Sequence, residues 1–312
     1  MKTFGRPPAI KSTLNFPPPT ILQDELLAGY RGRIALMNGL QSEQQVAKFL
    51  SAIHCGGYAQ PHHTAAFIEG AAVVNSLGVD DLLHRHSFYR MTRGFASNIA
   101  YSELVKKDRI TAARLCMRNL GQRAKLCPVC AEADLATHHF SYWRKRHQLP
   151  GRYTCPDHKC DLLFVDDTCL MERMPHEAQN YFGSLKQECQ TLFSENPRIR
   201  LALDILEKLN DLRVALDRDE CMSAFRTELR AQGEDPSQPR WFSEFSASID
   251  AAFSLDWLRA AFSRSQFRVG TIRNFATACI CDRSHTVSNL GMAVTLSMVF
   301  TTPDEALSAM LG

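Results

Sequence analysis

Two short cysteine motifs with the spacing of metal ligands constrain this chain more than any other feature. Cys127 and Cys130 form CPVC, and Cys155 and His158 form CPDH, with twenty-four residues between the two motifs. Two residues separate the ligands within each motif, so the backbone can turn and direct both side chains at one ion. Three thiolates and one imidazole are donors of a closed tetrahedral zinc site. The sequence therefore predicts a small module organised by structural zinc.

A zinc ion with four protein ligands has no open position for water, which argues against catalysis at this site. Its expected role is to stabilise a module too small to hold its own core. The alternative is that the two motifs are unrelated and contribute buried thiols. The chain has 11 cysteines, an odd number, and no apolar signal segment precedes them. This pattern favours metal binding and scattered thiols in a reducing cytoplasm over a disulfide framework.

Helical periodicity dominates on both sides of the motifs. One helix is expected to end at Asn38-Gly39, a second to begin at Ser42 with a capping box, and a third to be capped by Thr64. A longer helix is predicted over residues 197–217. No run of apolar residues is long enough to cross a bilayer.

The predicted fold is mainly α, with a small zinc-finger or zinc-ribbon module between two helical regions. Residues 1–20 are rich in proline and are predicted to form an extended arm. Residues 21–120 form an N-terminal helical, helix-turn-helix-like region, 121–170 the zinc module and 171–312 a C-terminal helical domain. Helices in that last domain are expected over 241–253, 255–262 and 271–280, with a further apolar run ending at Phe300.

The net charge of +3 conceals an uneven distribution. Residues 118–160 carry eight basic and three acidic side chains, a net of +5, which leaves −2 for the remaining chain. Within them, the run YWRKR at 142–146 joins two aromatic residues to three basic ones, a pattern that can contact phosphates or stacked bases. Alternatively, the aromatic pair packs over the zinc module and the basic side chains form a solvated face. The candidate nucleic-acid or partner contacts here are Arg144, Lys145, Arg146 and Arg152.

A second basic stretch lies nearer the C-terminus. Residues 257–283 hold five arginines and one acidic residue, a net of +4, with phenylalanines at core spacing. Such a stretch can form a helix-turn-helix unit that places a helix in a DNA groove. An ordinary amphipathic bundle with arginines on its outer face is the alternative. The candidate contacts in this stretch are Arg264, Arg268 and Arg273.

The zinc motifs and the residues between them resemble a known family. CPVC followed by YWRKRHQLPGRYTCPDH is similar to the signature of the TniQ/TnsD family of transposon target-selection proteins. In that family a CPxC motif precedes a YWR-x-x-HQLPG segment and a CPxH motif. Upstream, DELLAGYRGRIALMNG resembles the family's opening helix, and the resemblance covers about residues 24 to 165. It places the family's zinc ligands on the same four residues: Cys127, Cys130, Cys155 and His158.

The resemblance implies an adaptor and not an enzyme. Proteins of this family mark a site for DNA integration and recruit an AAA+ ATPase, which in turn brings the transposase. Some members read attachment-site DNA, and others dock on an RNA-guided CRISPR effector complex with its guide RNA, often as homodimers. The implied partners are therefore the ATPase, an effector complex or target DNA, and a second copy of the chain, with no membrane partner. The C-terminal region is short for an elaborate DNA reader, which favours docking.

The cysteines that follow the second motif depart from the family pattern. Many members carry a further cysteine pair there, whereas Cys160 and Cys169 form no C-x2-C. A second zinc site of that kind is therefore not supported. Two other functions stay open: a zinc-finger or helix-turn-helix transcriptional regulator acting through residues 257–283, and a zinc hydrolase or nuclease, which requires an open coordination position.

Overall fold

The chain is predominantly helical, which confirms the mainly α fold predicted from the sequence. In the part of the chain that the structure describes, helices occur on both sides of a two-stranded sheet beside the cysteine motifs. No helix in that part is long and apolar enough to cross a membrane. The computed structural model describes residues 18–55, 63–89, 91, 116–117, 123–166, 168–178, 196–212, 216, 218–238, 240–262 and 289–311.

In the described part of the chain, four helices lie N-terminal to the cysteine motifs: α1 (Leu27–Met37), α2 (Glu43–Cys55), α3 (His63–Val74) and α4 (Val79–His86). Helices α2 and α3 approach closely at Gly70, where a Cβ atom would lie 2.8 Å from the Cβ of Leu50. Tyr30, Ile34 and Phe67 are fully buried in the core that these helices share. The helix-turn-helix-like arrangement of this region stays a prediction.

Two of the predicted helix boundaries are confirmed by local hydrogen bonds. Helix α1 ends at Met37. The side-chain amide of the next residue, Asn38, donates to the Ile34 carbonyl at 2.9 Å, and Gly39 follows with φ +64°. The Ser42 hydroxyl accepts from the Gln45 backbone N–H at 3.2 Å ahead of α2.

The predicted helix cap at Thr64 is wrong. Helix α3 begins one residue earlier, at His63, and the Thr64 hydroxyl donates to the Glu43 carboxylate at 2.6 Å. Glu43 also forms a salt bridge with Arg31. Thr64 is therefore used in a contact between helices that are distant in sequence, because its buried hydroxyl meets a strong charged acceptor there.

The cysteine motifs are held by a two-stranded antiparallel sheet and a helix. Strand β1 (Arg123–Leu126) pairs with β2 (Leu163–Asp166), with Ala124 opposite Val165. Helix α5 (Pro128–His138) follows β1 after Cys127, and the residue after the helix, His139, has φ +64°. The first motif thus lies at a strand-to-helix junction, and the second lies in the loop that leads to β2.

The N-terminal helices are joined to this module through the backbone of the YWRKR run. Leu26 N–H donates to the Trp143 carbonyl at 2.7 Å, and Lys145 N–H donates to the Asp24 carbonyl at 2.6 Å. Gly29 in α1 permits the contact, because a Cβ atom there would lie 2.7 Å from the Cβ of Trp143.

The described C-terminal residues are also helical. Their helices are α6 (Cys169–Glu172), α7 (Pro175–Ala178), α8 (Pro197–Asp211), α9 (Arg218–Ala231), α10 (Trp241–Ala252), α11 (Leu255–Ala261), α12 (Asn289–Val299) and α13 (Pro303–Leu311). Helix α8 begins as predicted, with Pro197 in its first turn and the Asn196 side chain accepting from Arg198 N–H at 2.9 Å. It ends at Asp211 and not at 217, because Leu212 has an extended backbone.

One continuous core connects the C-terminal helices with the zinc module. It contains Trp143 and Leu149 from the module together with Leu203 of α8 and Trp257 of α11. The domain boundaries at residues 20, 120 and 170 stay predictions. The helix predicted over 271–280 lies outside the described residues.

Candidate metal centre and the adjoining basic motif

The four predicted metal ligands lie together. The donor atoms of Cys127, Cys130, Cys155 and His158 are all within 4.8 Å of one another, and no other group of three or more potential ligands is found among the described residues. His158 Nδ1 lies 3.6, 3.3 and 3.6 Å from the sulfur atoms of Cys127, Cys130 and Cys155, respectively. The three cysteines are buried, whereas the histidine is exposed.

Each motif forms the same local hydrogen bond. Cys127 Sγ accepts from the backbone N–H of Cys130, and Cys155 Sγ accepts from that of His158, both at 3.4 Å. In the first motif this bond also caps α5, because Cys127 is the residue before the first turn and Pro128 follows it. Short-range sequence is therefore sufficient to turn both ligands of a motif to the same side.

The three thiols are close enough to share protons. Burial raises the pKa of Cys127 to about 12. The hydrogen bond between Cys130 and Cys155 raises the pKa of Cys130, and the same bond, together with one from His147, lowers the pKa of Cys155 to about 2. Three buried thiolates cannot coexist without a compensating cation, and a divalent metal that binds them releases their protons.

This donor set fits zinc. Three thiolates and one imidazole complete a tetrahedral site of the kind found in structural zinc modules. The cluster can thus hold a metal ion through the residues that the sequence indicated. Such an ion would tie the strand-to-helix junction of the first motif to the loop of the second.

Two further donors lie against this cluster. His147 Nε2 is 3.5 Å from Cys155 Sγ and 3.8 Å from Cys130 Sγ, and only 2% of this histidine is exposed. Cys160 Sγ is 3.3 Å from Cys127 Sγ. Cys160 therefore adjoins the first site. Sequence spacing did not single out either residue, since neither completes a second C-x2-C or C-x2-H motif.

The aromatic part of the YWRKR run belongs to the core. Trp143 is only 2% exposed, and its indole N–H donates to the Arg173 carbonyl at 2.9 Å. The next two side chains also have internal partners. Arg144 forms a 2.6 Å salt bridge with Asp134, and the Lys145 ammonium donates to the His84 carbonyl at 2.8 Å. The run therefore stabilises the junction between the zinc module and the N-terminal helices.

The remaining two basic candidates join the zinc module to α8. Arg146 and Arg152 both pair with the Glu207 carboxylate, at 3.1 and 2.8 Å. Arg146 also pairs with Asp157 at 3.0 Å. The role of Arg144, Lys145, Arg146 and Arg152 in binding a nucleic acid or partner stays a prediction. The other candidates, Arg264, Arg268 and Arg273, lie outside the described residues.

Asp24 underlies this junction with a left-handed backbone, a conformation that aspartate adopts more readily than most residues. Its φ is +62°, and its carboxylate accepts from the Arg146 backbone N–H at 3.1 Å. Burial raises the pKa of Asp24 to about 7, although the nearby cations Arg146, Lys145 and Arg144 lower it. The carboxyl is therefore protonated in the folded protein up to about pH 7, but in the unfolded chain only below about pH 4.

We expect Asp24→Asn to stabilise the protein at pH 8. The folded form binds the extra proton between pH 4 and 7, so wild-type stability falls as pH rises through that range. Asparagine carries no charge to bury and tolerates positive φ. The expected gain in the free energy of unfolding is about 1 kcal/mol at pH 8 and smaller at pH 5.

Urea unfolding at both pH values measures this difference. Asp157→Asn is the matched control, because Asp157 is an exposed carboxylate that pairs with the same Arg146. An equal gain for Asp24→Asn at pH 5 and pH 8 would contradict the assignment.

The arrangement of helices and cysteine motifs agrees with a comparison of the chain with known families. Residues 17–162 match the model of the family described as TniQ. The chain carries a TniQ domain over these residues. The matched segment contains α1 to α5 and all four clustered donors, and it ends just before β2. The TniQ domain fits a role in transposition-associated target selection. No curated protein matches this chain.

Residues beyond the TniQ match complete the structure around the metal centre. Glu207 of α8 pairs with two arginines of the TniQ domain, and the Trp257 indole N–H donates to the Gly151 carbonyl at 2.8 Å. Sequence patterns alone indicate no role for Glu207 or Trp257 in these contacts. Helical periodicity places both on helices but contains no signal for which distant residues they contact.

Proposed function

We propose that this chain is a non-enzymatic adaptor for transposition that links a target to an AAA+ ATPase and so directs DNA integration. The observation that carries the proposal is the TniQ domain over residues 17–162, within which four donors that could hold a metal ion lie together. Zinc then has a folding role, because all four positions around it are taken by protein ligands.

We further propose that the adaptor docks on an RNA-guided effector complex with its guide RNA, attachment-site DNA being the alternative target. Arg144 and Lys145, the basic residues nearest the aromatic pair, are engaged in internal contacts. Side chains held in this way are poorly available for reading base edges in a groove. The adaptor would act in the cytoplasm, at the nucleoid, as a homodimer.

Affinity purification of the tagged full-length chain from its host tests the proposal. With ATP and magnesium present, we expect an AAA+ ATPase to be recovered in stoichiometric amounts, and at least tenfold less of it without nucleotide. Quantitative mass spectrometry measures the ratio. Nuclease treatment of the lysate separates direct association from tethering through DNA or RNA.

A different result would contradict the adaptor function. If no AAA+ ATPase is recovered in either state, and the chain instead binds one defined operator with a steep salt dependence, the adaptor function is wrong. A transcriptional regulator is then the better description.

A further inference from the structure

A cleft of about 360 Å³ lies between the second cysteine motif and α8. The loop from Arg152 to Lys159 forms one wall, and Arg200 and Asp204 on α8 line the other. The cleft therefore spans the junction between the TniQ domain and the helices that follow it.

Cations outnumber anions along this lining. Among the described residues of the lining there are three cations and one carboxylate, a net of +2: Arg152, Lys159 and Arg200 against Asp204. The Arg200 side chain is exposed, and no hydrogen bond or salt bridge ties it to another described residue. Lys159 donates one bond to the Pro156 carbonyl and retains two further N–H groups. Two positive side chains are thus available to an acceptor in the cleft.

Arg152 is a buried cation whose hydrogen bonding is incomplete. The residue is 5% exposed, and its Nη2 pairs with Glu207 at 2.8 Å. Its Nε atom is inaccessible to solvent and has no hydrogen-bond partner among the described residues. Buried guanidinium N–H groups are normally paired, so Glu207 compensates this cation at the edge of the cleft only in part.

The chemistry of the lining indicates which class of ligand the cleft fits. The described residues that line the cleft include no aromatic, asparagine or glutamine side chain, which are the groups that stack on bases or read their edges. Arginine and lysine donors with one threonine hydroxyl are the usual contacts of phosphate oxygens in a nucleic-acid backbone. Such contacts position a strand without selecting its sequence.

We propose that this cleft holds a phosphate group of the nucleic-acid backbone in the target complex, with Arg152, Lys159 and Arg200 as its donors. The choice of nucleic acid over an acidic peptide rests on the proposed function, since target selection brings the chain beside guide RNA and target DNA. Arg152 is the buried anchor of the site, and the other two side chains close on the phosphate from opposite walls.

Binding of labelled oligonucleotides to the full-length chain tests the site. The probes are a 30-nucleotide RNA, a single-stranded DNA of the same sequence and the corresponding duplex, measured by fluorescence anisotropy between 50 and 300 mM salt. We expect Lys159→Ala and Arg200→Ala each to reduce the slope of log K against log salt by about one, and the double variant to bind about tenfold more weakly at 100 mM salt. Arg230→Ala is the control, because Arg230 is an exposed helical arginine that does not line the cleft.

Scrambling the probe sequence should leave affinity unchanged, and the three probes identify which nucleic acid is held. The proposal is overturned if the wild-type chain binds none of the probes, or if the double variant binds them with wild-type affinity and salt slope. It is also overturned if an acidic peptide competes for the site and the nucleic acids do not. Failure of the cleft is distinguishable from failure of the adaptor function, because ATPase recovery does not depend on these variants.

Discussion

Cys127→Ser is expected to abolish metal binding and unfold the zinc module. Cys127 supplies one of the four clustered donors, and its sulfur also caps α5 by accepting from Cys130 N–H. Loss of a structural metal is among the few single-residue effects that exceed about 4 kcal/mol. We expect the wild-type chain to contain one zinc per molecule and the variant to contain none and to lose its cooperative unfolding transition. Atomic emission and guanidinium unfolding measure the two effects.

A second buried cysteine provides the control for this change. Cys221 in α9 is 1% exposed and lies outside the clustered donors, and its thiol donates to the Met310 carbonyl at 3.4 Å. Serine can donate the same bond, so Cys221→Ser should keep its zinc and cost about 1 kcal/mol. If Cys127→Ser keeps stoichiometric zinc, or costs no more than the control, the assignment of Cys127 as a ligand is wrong.

Gly151→Ala is expected to lower the free energy of unfolding by about 3 kcal/mol, through positive φ and overpacking together. Gly151 has φ +74°, and a Cβ atom there would lie 2.6 Å from the Trp257 ring and 3.0 Å from the Ala261 Cβ. The ring cannot simply retreat, because Trp257 is fully buried and its indole N–H is bonded to the Gly151 carbonyl. Urea unfolding at constant zinc measures the loss.

A substitution at Gly233 separates the cost of positive φ from the cost of overpacking. This glycine also has positive φ, +83°, but a Cβ atom there would meet nothing within 4 Å. Gly233→Ala should therefore cost only about 1 kcal/mol, the penalty of the backbone conformation. In a double-mutant cycle, Gly151→Ala and Trp257→Leu should together cost less than the sum of their separate effects. Strict additivity would show that the contact between Gly151 and Trp257 is not what restricts the position.

The clustering of the four predicted metal ligands was the most predictable feature of the site. Each motif has two residues between its ligands, and a hydrogen bond across those residues turns both side chains in one direction. This geometry can be predicted without knowing which residues from other parts of the chain lie nearby. The start of α8 was predictable for the same reason, since Pro197 and the Asn196 cap act within one turn.

The basic side chains show where local reasoning ends. From the sequence, the run RKR is predicted to form a charged surface. The sequence does not show which acidic residues, distant along the chain, its side chains contact in the folded protein. Arg144 instead pairs with Asp134, and Arg146 pairs with Glu207, which is 61 residues away. The predicted helix cap at Thr64 is wrong for the same reason. The acceptor that its hydroxyl contacts, Glu43, belongs to another helix.

Short-range patterns in the sequence were thus sufficient to predict the mainly helical fold, the candidate ligand set and the resemblance to TniQ. Folding of the whole chain was needed to show that Glu207 and Trp257 bind the TniQ domain to the C-terminal helices, and that a positive cleft forms where they meet. The division has a physical cause. Capping bonds and metal-ligand turns act over about four residues, whereas burial, ion pairing and cavity shape depend on which surfaces the chain brings together.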